Sequence, residues 1–111
     1  MRRAQRARPA IEAFARRNGY NLVKNLASHG VGGALHEEPT EIATWTDRSD
    51  RRRITEGLVF TLEPFLSLGA DWVEEVGDGW TLRPAGGQPT VQYEHTLVAT
   101  RRGPVVMTLA D

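Results

Sequence analysis

Two histidines and two glutamates are the side chains of this sequence best suited to chemistry. His29 and His36 flank a glycine-rich segment in the stretch HGVGGALHEEP, and Glu63 and Glu94 lie in the apolar runs GLVFTLEPF and TVQYEHTLVAT. Imidazole and carboxylate groups together bind divalent first-row metal ions. The sequence contains no cysteine, which excludes thiolate metal sites and disulfides. The pattern therefore indicates a candidate metal site built from nitrogen and oxygen ligands.

The alternation of side chains along a strand assigns each glutamate to a face. In GLVFTLEPF, Glu63 shares its face with Val59 and Thr61, and in TVQYEHTLVAT, Glu94 falls at mid-strand, where glutamate is disfavoured. If both strands lie in one sheet and these faces coincide, the carboxylates repel each other unless they share a proton or a cation. A divalent cation would resolve that conflict. For either glutamate taken alone, a solvated surface charge is the more common outcome.

The elements that must position these residues change in character along the chain. Apolar residues at helical spacing predict an amphipathic helix from Pro9 to Arg17, which the glycine of NGY would end. The segment YNLVKNL predicts a short strand, and Thr40 to Arg53 is typical of an irregular polar segment. Beyond it, β-branched and aromatic runs separated by GDG, AGG and RRG turns predict strands in GLVFTLEPF, WTLRP, TVQYEHTLVAT and PVVMTL. We expect a single α+β domain over residues 1–111, an antiparallel sheet with a helix packed on it.

Length, composition and charge narrow the class of protein. A chain of 111 residues corresponds to one domain, and a hydrophobic content of 40% is that of a globular protein. The formal net charge of zero argues against a nucleic-acid partner. No apolar run approaches the length of a membrane-spanning helix, and the N-terminus lacks the apolar region of a signal peptide. We therefore expect a cytoplasmic protein with no membrane or nucleic-acid partner.

Arginine is concentrated in two places. Six of the first seventeen residues are arginines, against the single acid Glu12, and Arg51, Arg52 and Arg53 form a second cluster. We interpret both clusters as solvated surface, with residues 1–8 as a flexible basic N-terminus. The alternative interpretation of the first cluster is an anionic partner or an organelle-targeting segment.

The order of the motifs resembles one enzyme family. HGVG followed by HEEP, then GLVFTLEP, DGWT and QYEHTLVAT occur in the order and at spacings compatible with the C-terminal half of a type I methionine aminopeptidase. The resemblance extends from about Ile11 to Leu109. HEEP and YEHT are its specific pieces, because related proline peptidases and creatinases share the fold but differ there. The resemblance implies half of a pita-bread fold and a metallopeptidase that removes N-terminal methionine from peptides and nascent proteins by hydrolysis.

The resemblance also implies roles for the candidate metal ligands. His29, Glu63 and Glu94 would be ligands of a two-metal centre, with Glu94 bridging both ions, which would be Co, Mn, Fe or Zn. Two close cations can activate a water molecule and polarise the peptide carbonyl, while a carboxylate accepts the proton. Glu63 is the family's usual candidate for that proton acceptor, which would make it catalytic as well as a ligand.

Three further residues receive roles from the resemblance. His36, the histidine of HEEP, would be catalytic, contacting the substrate backbone and the developing oxyanion rather than the metal. Trp80 would line the pocket for the methionine side chain, and Gln92 would lie just outside the metal ligands. Without the resemblance, a half-buried core aromatic and an exposed strand amide are the preferred interpretations of Trp80 and Gln92.

The chain also departs from the family pattern. The family's metal centre takes two further aspartates, and the site another histidine, from an N-terminal half that has no counterpart here; the aspartates of this chain fall in loops or at the terminus, namely Asp47, Asp50, Asp71, Asp78 and Asp111. Ser28 stands where the family has glycine, and serine limits any positive backbone angle. We therefore expect weak metal binding and no activity from this chain alone.

These departures leave the partners open. The expected partners are peptides with N-terminal methionine and either a separate N-terminal half-chain or a second copy of this chain, because the polar face carrying Glu63 and Glu94 would otherwise be exposed together with strand edges. Two alternatives remain. The first alternative is a non-catalytic peptide- or protein-binding module derived from the pita-bread fold. The second is one half of a split enzyme.

Overall fold

Ten short strands and one α-helix make up the part of the chain that the computed structural model describes, residues 6–110. The elements are α1 (Ala7–Arg17), β1 (Asn21–Leu22), β2 (Ser28–Gly30), β3 (Glu37–Ile42), β4 (Val59–Leu62), β5 (Phe65–Ser67), β6 (Val73–Glu75), β7 (Leu82–Pro84), a 3₁₀ turn (Ala85–Gly87), β8 (Thr90–Gln92), β9 (His95–Thr100) and β10 (Gly103–Val106). A five-stranded sheet has the order β10-β9-β4-β2-β3, a three-stranded sheet the order β1-β5-β8, and β6 pairs with β7. The strand pairs in this part are antiparallel, which agrees with the expected α+β class.

The core lies on one face of the five-stranded sheet. Its buried members are Ile42, Phe60, Leu97 and Ala99, and partly buried side chains pack against them, among them Leu58 and Leu62. The alternation that assigns Val59, Thr61 and Glu63 to one face of GLVFTLEPF leaves Leu58, Phe60 and Leu62 on the other, and that assignment is confirmed. Burial of these apolar side chains fixes which face of β4 points to the core. The residues that alternate with them in sequence, including Thr61, therefore lie on the other face.

The predicted helix is confirmed, and it begins two residues before Pro9, at Ala7. Asn18 ends it by donating its side-chain amide to the Phe14 carbonyl at 2.8 Å. Arg8, in the first turn, pairs with Asp50 at 3.0 Å and so ties the helix to the loop before β4. Hydrogen bonds from Arg52 and Arg8 hold the pKa of Asp50 well below its usual range. Of the predicted basic N-terminus, residues 1–5 lie outside the described residues.

Within residues 6–110, no helix combines the length and the apolar character needed to cross a membrane.

The polar segment from Thr40 to Arg53 is only partly irregular, so that prediction was wrong at its start. Thr40 to Ile42 complete strand β3, which pairs with β2 through Ser28 opposite Ile42 and Gly30 opposite Glu37. The segment lacks the alternating apolar pattern that marks a strand because most of its side chains are solvated, and only Ile42 reaches the core. The pairing partner, rather than the local sequence, makes this segment a strand.

The two runs that carry the glutamates are each broken at the glutamate, which corrects the mid-strand position predicted for Glu94. Glu63 and Pro64 separate β4 from β5, and Tyr93 and Glu94 separate β8 from β9. Pro64 has no backbone N–H to donate to a ladder. The register is nevertheless the same on both sides of the break, since Leu62 opposes His95 and Phe65 opposes Gln92. Continuing that register through the break places Glu63 opposite Glu94.

A glycine permits the close approach of β3 to β2. A Cβ on Gly30 would lie well inside van der Waals distance of the Glu38 carbonyl oxygen. We expect Gly30→Ala to lower the free energy of unfolding by about 1–3 kcal/mol, because backbone atoms must shift to admit the methyl group. Chemical denaturation measures the change.

Gly33→Ala is the matched control for that substitution. Its added Cβ would meet only the flexible carboxylate of Glu37, at 3.3 Å, so a loss below about 0.5 kcal/mol is expected. Equal losses in the Gly30 and Gly33 variants would contradict the role given to Gly30.

Candidate metal centre

His29, Glu63 and Glu94 converge at the point where the paired strands are interrupted. His29 lies on β2, and the two glutamates lie in the facing breaks of the β4–β5 and β8–β9 runs. One ligand atom from each of the three residues lies within 4.8 Å of the other two. His29 is 6% exposed, Glu63 is half-buried and Glu94 is exposed, so the cluster opens to solvent on the Glu94 side.

The hydrogen bonds of His29 leave one ring nitrogen for a ligand. Nδ1 lies 2.8 Å from the Gly30 carbonyl oxygen; that oxygen can only accept, so Nδ1 carries a proton. Nε2 lies 3.2 Å from Glu63 Oε2. In the neutral imidazole, Nε2 then presents a lone pair to a carboxylate oxygen, an arrangement that requires a proton or a cation between them. A backbone carbonyl that fixes the opposite ring nitrogen is the usual support for a metal-binding histidine.

The two carboxylates perturb each other. Burial raises the pKa of Glu63, and the neighbouring Glu94 raises it further, while the hydroxyl of Thr61 and the charge of His29 oppose the rise. Burial and the nearby Glu94 make the charged form of Glu63 less favourable. A bound divalent cation would offset this free-energy cost. One imidazole nitrogen and two carboxylates are a donor set suited to first-row divalent ions. The residues present therefore fit a metal ion.

Gln92 and His36 lie next to the cluster. Gln92 donates its side-chain amide to Glu94 Oε2 at 3.4 Å. The His36 imidazole is exposed, and its centroid lies 4.1 Å from that of the His29 ring at an interplanar angle of 35°. His36 thus borders the candidate metal ligands without belonging to the group of three.

Trp80 lies apart from this group, in the connection between β6 and β7, and is 88% exposed. The residues from 6 to 110 therefore do not enclose its ring. Asp78 shapes the connection by accepting hydrogen bonds from the backbone amides of Trp80 at 2.9 Å and Thr81 at 2.7 Å. The side-chain and backbone hydrogen bonds of Thr81, with that of the Trp80 amide, lower the pKa of Asp78 to about 2.

The turn that carries Trp80 is expected to depend on pH. The pKa of Asp78 is lower in the folded chain than its ordinary value near 4. Its carboxylate therefore contributes its full stabilisation of the turn when the pH is above about 4, and this stabilisation is lost as the pH falls through about 2. The NMR shifts of the Trp80 and Thr81 amide protons should titrate with a midpoint near 2 and show no such titration in Asp78→Ala. A midpoint near 4 would contradict the hydrogen bonding described.

Two hydroxyl groups at the cluster have no role in the sequence-based prediction. Thr61 Oγ1 accepts from the His29 amide at 3.1 Å and donates to Glu63 Oε2 at 2.8 Å. Ser28 Oγ accepts from the Glu63 amide at 3.0 Å. The alternation along the strand assigns Thr61 to the same face as Glu63, and this is the sequence signal that could have identified Thr61 as a neighbour of the cluster. Ser28 carries no positive φ angle, so the serine is accommodated without the backbone conformation that would have required glycine.

The aspartates that the structure describes do not complete the centre. As predicted, they lie outside the strands, at positions 47, 50, 71 and 78. Asp47 accepts from the amide of Ser49, Asp50 pairs with Arg8 and Arg52, and Asp78 holds its own turn. Asp111 is outside the described residues. Among the described residues, the candidate metal site therefore consists of the three-residue cluster alone.

A histidine and two facing glutamates, where an antiparallel arrangement of strands is interrupted, form a candidate metal site of nitrogen and oxygen ligands. Metallopeptidase family M24 matches residues 2–101 of the chain, and the chain belongs to that family. The chain is similar to methionine aminopeptidase 2 of Bacillus subtilis (strain 168), with 38% identity over 99 residues, which are 89% of this chain and 40% of the relative. With methionine aminopeptidase of Escherichia coli (strain K12) it shares 33% over 100 residues, which are 90% of this chain and 38% of the relative.

Solved structures show the same relation. The crystal structure of methionine aminopeptidase from Rickettsia prowazekii matches with a TM-score of 0.81 and 30% identity, over 90% of this chain and 40% of that one. The enzyme from Thermotoga maritima matches with a TM-score of 0.78 and 28% identity, over 94% of this chain and 40% of that one. The chain spans about two fifths of the length of these relatives. The predicted resemblance to half of a methionine aminopeptidase, and with it half of a pita-bread fold, is confirmed.

Proposed function

We propose that this chain supplies one side of the active site of a metal-dependent methionine aminopeptidase, which hydrolyses the first peptide bond of chains with N-terminal methionine. The observation that carries the proposal is the convergence of His29, Glu63 and Glu94 within 4.8 Å. The relatives named above bear the name methionine aminopeptidase, and their activity is extended to this chain as part of the proposal. The protein would act in the cytoplasm, where nascent chains are made.

The roles of the three ligands follow from their chemistry. His29 Nε2, Glu63 and Glu94 would hold the divalent ions, two in a complete site, of Co, Mn, Fe or Zn. Such ions, when bound, supply an activated water and polarise the scissile carbonyl. Glu94 is the exposed member of the group of three, and the family resemblance implies that it would be the ligand shared by both ions. The shortage of protein ligands predicts weaker binding than in a complete site.

Proton transfer is assigned to Glu63. Its carboxylate lies within the cluster, with Oε2 3.2 Å from His29 Nε2, so it would lie beside a water activated there and could accept its proton and return it. As the water oxygen forms its bond to the carbonyl carbon, Glu63 takes the proton; as the carbon–nitrogen bond breaks, the proton passes to the leaving amine. Together, the two steps consume one water and one peptide and release methionine and the shortened peptide.

The neighbouring residues are assigned to the substrate. The exposed His36 imidazole, whose centroid lies 4.1 Å from that of the His29 ring, would donate a hydrogen bond to the developing oxyanion. Gln92 would orient Glu94 through its amide. Trp80 would line the methionine pocket, and its 88% exposure here means that this pocket needs a second surface to close it.

That second surface is proposed to come from an N-terminal half carried on another chain or chain segment. Support comes from an apolar groove of about 400 Å³ between α1 and the three-stranded sheet, lined in part by Phe14, Tyr20, Leu66 and Val91. Apolar side chains of a partner could pack into this groove and remove its surface from water. Alternatively, a second copy of this chain would supply that surface by self-association.

Hydrolysis of a Met-Ala-Ser peptide tests the proposal. The chain alone with excess Mn²⁺ or Co²⁺ is expected to show no turnover, and a complex with the N-terminal half of the Bacillus subtilis relative is expected to show turnover that a chelator removes. A stable complex without turnover would contradict the proposal. Peptide binding by the chain that is indifferent to chelator and to Glu94→Ala would instead identify a non-catalytic binding module.

A further inference from the structure

The backbone pairing between β2 and β4 is short, and it ends next to the candidate metal ligands. Among the described residues, Gly30 opposite Phe60 is the ladder pair that joins these strands, and the Val31 amide extends it away from the cluster by donating to the Val59 carbonyl at 3.1 Å. His29 and Glu63 lie on the other side of that pair. Pairing with β3 and β9 restrains these strands on their other sides, but on the β2–β4 side no ladder pair among the described residues joins the two candidate ligands.

Two side-chain hydroxyls supply a restraint on that side, each acting across the strand boundary. From β4, the Thr61 hydroxyl accepts the His29 amide at 3.1 Å. From β2, the Ser28 hydroxyl accepts the Glu63 amide at 3.0 Å. The two hydrogen bonds form a reciprocal pair: a β4 hydroxyl holds the His29 amide, and a β2 hydroxyl holds the amide of Glu63, which directly follows β4.

Thr61 makes a third contact, to the ligand atom itself. Its single hydroxyl proton is donated to Glu63 Oε2 at 2.8 Å, the same oxygen that faces His29 Nε2 at 3.2 Å. The Thr61 oxygen thus fixes the main chain of one ligand and the carboxylate of the other. Ser28 is 0% and Thr61 2% exposed, so water does not compete for these hydroxyls.

We propose that Ser28 and Thr61 are positioning residues that set the separation of His29 Nε2 and Glu63 Oε2 for metal binding. The proposal rests on the function proposed above and deepens it. A glycine at position 28 would offer no hydroxyl to the Glu63 amide. This chain therefore holds Glu63 through a contact that a glycine at that position cannot make.

Removing either hydroxyl is expected to weaken metal binding without removing a ligand. Loss of an outer hydrogen-bonding partner lowers metal affinity by about 10–100-fold. We expect that loss of Mn²⁺ affinity, measured by isothermal titration calorimetry, for Thr61→Val, and recovery to within about threefold of the parent for Thr61→Ser, which restores the hydroxyl. Ser28→Ala and Ser28→Gly are expected to lower the affinity within the same range.

Thr44→Val is the matched control. Thr44 is also a buried threonine, 1% exposed, but its hydroxyl has no hydrogen-bond partner among the described residues. The same chemical change there should leave the Mn²⁺ affinity unchanged. Equal losses in Thr44→Val and Thr61→Val would assign the effect to core packing and overturn the proposal.

Amide hydrogen exchange in the metal-free chain separates this proposal from the proposed function. Thr61→Val should accelerate exchange at the His29 amide, and Ser28→Ala at the Glu63 amide, with neither change in Thr44→Val. Unchanged exchange at both amides would overturn the positioning role even where the parent chain binds Mn²⁺. Accelerated exchange in a chain that binds no Mn²⁺ would overturn the proposed function and the positioning role that rests on it. If Thr61→Val fails to fold, the Ser28 variants decide both points.

Discussion

Replacing Glu94 by alanine is expected to lower the affinity of the chain for Mn²⁺ or Co²⁺ by more than about 100-fold, because the loss of an outer partner alone costs about 10–100-fold. The continuous register places Glu94 opposite Glu63, so the substitution removes one of the two carboxylates that face the ion. His29 and a single carboxylate then remain from the cluster.

Calorimetric titration with each metal measures this loss, and Glu74→Ala is its control. Glu74 is an exposed glutamate on β6, outside the cluster of ligand atoms, so its removal raises the net charge by the same amount and leaves the candidate ligands untouched. A second readout is available without metal. Because the neighbouring Glu94 helps to raise the pKa of Glu63, that pKa should fall in Glu94→Ala. Equal metal affinities in the two variants would exclude Glu94 as a ligand.

Glu63→Gln is expected to lower peptide hydrolysis by the complex with an N-terminal half by about 10²–10⁴-fold, the usual worth of general acid–base catalysis. Glutamine keeps the size of the side chain, and its carbonyl oxygen can still accept from the Thr61 hydroxyl. It carries no charge to hold a cation and cannot accept the proton of the attacking water. The turnover number at saturating peptide is the measurement.

Two controls separate proton transfer from metal loss in that experiment. Turnover is measured across a titration with excess Mn²⁺, so that weaker binding is compensated, and the metal content of the complex is determined alongside. Glu74→Gln should retain the activity of the parent complex. A Glu63→Gln complex that holds its metal and keeps more than a tenth of the activity would refute the assignment of proton transfer to Glu63.

Much of the fold was predictable because its signals are local. The helical spacing before Asn18 and the alternation of Leu58, Phe60 and Leu62 depend only on neighbours along the chain, and both predictions are confirmed. The breaks at Glu63 and Glu94 were missed because a continuous apolar pattern runs across them. Strand β3 was missed in part because its polar sequence becomes a strand through pairing with β2.

The sequence by itself determined the candidate ligands and the family to which the chain belongs, since both depend on residue types in a fixed order along the chain. Only the tertiary structure decided how these residues meet. The register that sets Glu63 opposite Glu94, and the hydroxyl of Ser28 that reaches the Glu63 amide, join residues more than thirty positions apart. No local pattern encodes such a distance, because it arises from strands that pair only after the chain has folded.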